Sequence, residues 1–146
     1  MIYTIGFTKT TAECFFERLK SNGVEMMLDI RLNNKSQLAG FAKSPDIGWF
    51  LKQLCGIKYI YDDYFAPTEE ILKAYQKHEI DWNGYEAMFS QLMDKRNIIG
   101  YIAENYGKYK DKKLCMLCSE PTPEQCHRRL VANYFCDAFD CQVQHL

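Results

Sequence analysis

Short apolar runs alternate along the chain with stretches whose apolar residues recur every three or four positions, the mark of strands exchanging with amphipathic helices. Met1-Ile2-Tyr3-Thr4-Ile5-Gly6 reads as a first strand, closed by a glycine that permits a sharp turn. Thr10 or Thr11 can cap a helix from about Ala12 to Ser21, with Cys14, Phe15 and Leu19 on its apolar side, and Asn22-Gly23 stops it. Met26 to Arg31 follows as a second strand, so the first 31 residues make a βαβ unit with parallel strands. Leu32 to Lys43 is polar and aperiodic, which predicts a loop over the ends of those strands.

A helix is expected from Pro45-Asp46 to Cys55-Gly56, then a short alternating strand over Ile57 to Tyr61 and a helix from Pro67 to Lys77. His78 to Gly84 reads as a connection, and Tyr85, Met88, Phe89, Leu92 and Met93 mark the next helix. Residues 97–106 could be a buried strand, but Glu104-Asn105-Tyr106-Gly107 resembles a glycine-capped helix end, which favours a short helix. Leu114 to Cys118 is a buried strand, and Cys141 to His145 a short closing one. Together these elements predict one α/β domain over 1–146. It is a Rossmann-like three-layer sandwich with a mostly parallel sheet of about five strands and helices on both faces.

The stretch from Leu114 to Arg129 changes this picture from fold to chemistry. A strand stops at Cys118-Ser119-Glu120, turns through Pro121 and Pro123, and leads to Cys126-His127-Arg128. Thr122 suits an N-cap and Pro123 a first helical position, so the spacing predicts a helix from Pro123 to about Ala138. Cys126, His127 and Arg128 would then lie near unpaired backbone N–H groups, a setting that favours anions and lowers a thiol's pKa. Ligands of such sheets bind beyond the carboxyl ends of the strands, where Gly6, Asp29-Ile30-Arg31 and Ser119-Glu120 are all expected.

Composition narrows the classes. The chain has 146 residues, is 47% hydrophobic and carries a net charge of -1, so no global attraction to nucleic acid operates. No apolar run approaches the roughly 20 residues that span a bilayer, which predicts a cytoplasmic protein with no membrane partner. Seven cysteines cannot all pair with one another, which favours free thiols, metal binding or a reactive thiol over a disulfide framework. Cys14, Cys55, Cys136 and Cys141 read as small core residues.

The chain resembles the bacterial and archaeal family called domain of unknown function 488. The matching residues are Thr4-Ile5-Gly6, Asp29-Ile30-Arg31, Ser36, Gly40-Phe41, Leu117-Cys118-Ser119-Glu120 and Cys126-His127-Arg128. The resemblance implies an α/β fold and a site, without an activity. It departs at Phe7, where the family usually has His or another polar residue, and at Asn34 and Gln37, where Pro and Arg tend to flank the serine.

Three uses of the site follow. The first is binding or acting on a phosphate-bearing nucleotide or nucleic-acid end. Gly6, Asp29, Arg31, Ser36, Ser119 and Arg128 would hold that ligand and Glu120, Cys126 and His127 would do the chemistry of a hydrolase or transferase, with no cofactor. Asp29, Glu120, Arg31 and Arg128 could equally form a buried ion-pair network. The second is a zinc site of Cys115, Cys118, Cys126 and His127, weakened because strand residues three apart face opposite ways. The third is a non-catalytic nucleic-acid or protein binding module using Lys108, Lys110, Lys112 and Lys113 among Tyr106 and Tyr109.

Overall fold

Helices begin where the sequence supplies side-chain caps. In the computed structural model, which describes residues 1–35 and 39–146, Thr11 accepts from the Cys14 N–H at 3.2 Å to open α1 (Ala12–Ser21). Thr68 does the same for Ile71 at 3.3 Å in α3 (Glu69–Gln76), and Asp81 for Gly84 at 2.8 Å in α4 (Trp82–Lys95). The Asp81 cap shortens the connection expected over His78 to Gly84, because the helix already starts at Trp82. The ambiguous segment is a helix, α5 (Ile98–Tyr106). α2 (Asp46–Phe50) runs on into one wide π turn over Leu51–Cys55, which Gly56 ends at φ 66°.

The strands are β1 (Ile2–Gly6), β2 (Met26–Asp29), β3 (Lys58–Tyr61), β4 (Leu114–Cys118) and β5 (Val143–His145). All pair in parallel in the order β3-β2-β4-β1-β5. Alternate residues of the central strands enter two cores. Tyr3, Ile5, Met27, Cys115 and Leu117 pack against α1 and α2, while Ile2, Met26, Leu28, Leu114 and Met116 pack under α3, α4, α5 and the last helix, α6 (His127–Phe139). Sheet and two helical layers thus form the three-layer α/β sandwich. Each fully buried Phe or Leu stabilises it by about 1.5–3 kcal/mol. Among the described residues, no helix is long and apolar enough to cross a membrane.

Strand order also places the crevice. β2 connects outward to β3, whereas its neighbour β4 connects the other way, through α6, to β5. The carboxyl ends of β2 and β4 are therefore the switch point at which an open parallel sheet leaves room for a ligand.

The last helix corrects the sequence reading. It starts at His127, with Cys126 extended at the N-cap (φ -138°, ψ 134°), and residues 119–126 form bends and turns. Arg128 explains the shift, since its Nη1 donates to the Glu120 carbonyl and its Nη2 to that of Pro121 at 3.4 Å. These contacts fold the loop back on the first helical turn. Gly6 makes room for it, because a Cβ there would fall on the Glu120 carbonyl and lie 3.0 Å from Arg128 Nη1.

The outer cysteines differ from expectation too. Cys14 is exposed, whereas Cys55, Cys136 and Cys141 are half-buried and pack against the edges of the two cores. All seven cysteines are free thiols.

Candidate functional site

A cleft of about 640 Å³ opens over the ends of β2 and β4. Arg31, Cys118, Cys126 and His127 line it together with Ser119 and Glu120. Tyr75, His78, Trp82 and Tyr85 line it from α3, α4 and the turn between them. The Trp82 and Tyr85 rings stack with centroids 5.0 Å apart, and the Tyr75 hydroxyl donates to Gln125 Oε1 at 3.0 Å.

Arg31 is positioned by β2. Asp29, the last residue of the strand, takes its Nε on Oδ1 at 2.8 Å and its Nη2 on Oδ2 at 2.7 Å. Tyr59 from β3 donates to the same Oδ2 at 2.6 Å. Burial works against the guanidinium's charge, but Asp29 outweighs it and raises its pKa. The Phe7 ring centre lies 5.0 Å from the guanidinium carbon and serves as an apolar and cation–π rest. Arg31 Nη1 is buried and has no hydrogen-bond partner among the described residues.

His127, Cys118 and Cys126 form the polar corner. His127 Nε2 lies 3.0 Å from the Ile30 carbonyl, which can only accept, so this nitrogen carries the proton and Nδ1 is left free. Cys118 Sγ lies 3.5 Å from Nδ1 and 3.9 Å from Nε2, alongside the imidazole rather than on the axis of one lone pair. The Cys118 thiol is pushed down by the Cys126 thiol donating to it, helped by the Ser119 and Glu120 N–H groups and the Arg128 charge, despite its burial. Cys126 is pushed up by that same bond, by burial and by the neighbouring Cys118 charge. The lowering of a thiol pKa expected of Cys126 at a helix start thus falls on Cys118 instead, and Cys126 shifts the other way.

The other expected site residues divide. Glu120 is exposed at the rim, while its carbonyl serves Arg128. Ser119 lines the cleft, and its carbonyl accepts from the Thr8 hydroxyl at 2.7 Å. Arg128, expected in an anion clamp, is fully buried with its guanidinium on the Glu120 and Pro121 carbonyls. Gly6 and Asp29 support the loop and Arg31 from behind. Ser36 lies outside the described residues.

Cys115 belongs to the core on the opposite face of β4, so the four-residue zinc set does not assemble. The Lys108–Lys113 run is largely engaged at the amino end of the sheet. Lys112 pairs with Glu25 at 2.8 Å, Lys113 donates to the Asn22 carbonyl at 3.0 Å, and Lys108 sits over Tyr109.

Sequence named Cys118 only as a possible zinc ligand and not as the thiol whose pKa falls, and it did not single out Tyr75, His78 or Tyr85 as lining. Cys118's place at the carboxyl end of a central strand was a usable signal. Nothing local marked His78 or Tyr75, which reach the cleft because α3 and α4 fold over it. No curated protein and no solved structure matches the chain. The family profile described as Domain of unknown function DUF488 matches residues 11–135, and the chain belongs to that family.

Proposed function

We propose that the cleft receives an anionic ligand bearing a planar ring, of the nucleotide class, and that the chain acts on it by hydrolysis or group transfer. The observation that carries this reading is Arg31 Nη1, a buried donor of a cleft-lining side chain with no partner among the described residues. An unsatisfied buried donor costs about 1–3 kcal/mol, and more on a charged group, so an anion bound there recovers a standing penalty. Tyr75 and Trp82 across the cleft, both half-buried, offer aromatic surface on which a base stacks, worth about 1–3 kcal/mol per base, with Tyr85 buried behind Trp82 as its support. Cys118, His127 and Glu120 lie at the same cleft for the chemical step. A cytoplasmic setting suits seven free thiols.

Titration calorimetry with adenosine monophosphate, adenosine and inorganic phosphate tests the reading. The nucleotide is expected to bind more tightly than either fragment, and Trp82→Ala to weaken it about 5- to 150-fold, the equivalent of one stacked base. Equal affinity for phosphate and nucleotide would remove the ring from the proposal. No heat from any of the three would end it.

A further inference from the structure

We propose that Cys118, Cys126 and His127 bind a zinc-class divalent metal ion with one coordination position left open towards the cleft. The three donor atoms lie within 4.8 Å of one another, and all three residues are buried and line the cleft. Zinc takes thiolate sulfur at about 2.3 Å and imidazole nitrogen at about 2.0–2.1 Å, which sets a tetrahedral S···N edge of about 3.5 Å. The Cys118 Sγ to His127 Nδ1 separation is 3.5 Å.

The surroundings support an ion more than a simple pair. His127 donates its Nε2–H to the Ile30 carbonyl, the outer contact that fixes a metal-binding imidazole and presents Nδ1. Cys118 Sγ sits off the Nδ1 lone-pair axis, 3.5 Å from Nδ1 and 3.9 Å from Nε2, so its side chain has to turn towards that lone pair before both donors address one ion. The Ser119 and Glu120 N–H groups that face Cys118 suit a coordinated thiolate. Two thiolates and a neutral imidazole cancel the charge of a dication, which makes burial affordable. Three protein ligands and an open position are the arrangement of catalytic rather than structural zinc, and water or a ligand oxygen would take the fourth place. Cys115, on the far face of β4, has no part in it.

The centre stands on these three side chains and not on the nucleotide reading. The test is a Co²⁺ titration of the full chain, stripped of metal under reducing conditions and without nucleotide. Binding is expected to saturate at one ion per chain, with thiolate-to-cobalt charge-transfer bands and tetrahedral d–d bands. Cys118→Ser and Cys126→Ser should each lose the charge-transfer intensity, whereas Cys14→Ser and Cys115→Ala should retain it. Should the two site variants fail to fold, X-ray absorption of the zinc-loaded wild-type chain decides, with two sulfur and one imidazole ligand expected. An all-light-atom shell, or bands that survive in Cys118→Ser and Cys126→Ser, would overturn the site. So would the absence of bands with ready alkylation of Cys118 at neutral pH, which would make Cys118 and His127 a nucleophile and its base. A failed cobalt titration leaves the nucleotide reading standing, and a failed nucleotide titration leaves the metal centre standing.

Discussion

Asp29 holds Arg31 at two points, Oδ1 to Nε at 2.8 Å and Oδ2 to Nη2 at 2.7 Å, with both side chains out of water. Removing one partner of such a pair strands the other's charge, so Asp29→Ala is expected to cost about 3–5 kcal/mol. Tyr59→Phe, which removes only the hydroxyl on Oδ2, should cost about 1.5–3 kcal/mol. Urea unfolding measures both. Equal, small losses would mean that water reaches the pair.

The loop after β4 depends on the missing side chain at Gly6. Gly6→Ala sets a Cβ against the Glu120 backbone, which cannot swing aside as a side chain would. A loss of about 1–3 kcal/mol or more is expected. Gly107→Ala is the opposite case, with open space around the position and an αR backbone at φ -52°. It should gain about 0.4–1 kcal/mol by narrowing the unfolded ensemble. Thermal denaturation that ranks Gly6→Ala at or above Gly107→Ala would contradict the loop's close approach to β1.

His78 adopts φ 59° just beyond the end of α3. Its N–H reaches the Tyr75 carbonyl at 3.0 Å and the next N–H reaches Ala74 at 2.9 Å, a pattern that glycine fills most easily. His78→Gly should therefore raise stability by about 1 kcal/mol while removing an imidazole from the cleft rim. Paired melting and nucleotide-binding measurements separate the two effects. A lower melting temperature would show that the ring contributes packing worth more than the strain.

Alkali should loosen the fold through Asp62. Tyr101 and Tyr106 donate to its Oδ2 at 3.0 and 2.5 Å, and burial together with the carboxylate pushes Tyr101 up to about 12 and Tyr106 further in the same direction. The unfolded chain loses these protons near the ordinary value of 10.0, so it binds fewer protons than the native state above that pH. Stability contributed by the two phenols is complete below pH 10 and falls as pH rises through about 12. Tyrosinate absorbance followed beside circular dichroism should show the last tyrosines ionising with unfolding. Complete ionisation near pH 10 of an intact fold would sink this account.

Local pattern determined much of this protein. Apolar runs and helical spacing specify the alternation of strands and helices, Thr11 and Gly56 mark ends in agreement with it, and Asp29-Ile30-Arg31 and Leu117-Cys118-Ser119-Glu120 are legible as strand ends meeting at one edge. Those features depend on neighbours within one or two turns of chain. Tertiary structure decided which side of the sheet each group serves. Arg128 reads as an anion ligand but is drawn to the Glu120 and Pro121 carbonyls, and this moves the start of α6 to His127. Cys126 sits where a helix start should lower its pKa, yet burial beside Cys118 raises it. The aromatic wall exists because α3 and α4 lie over the β2 and β4 ends. Charge partition between buried groups depends on distance and desolvation across the fold, and neither quantity is carried by spacing along the chain.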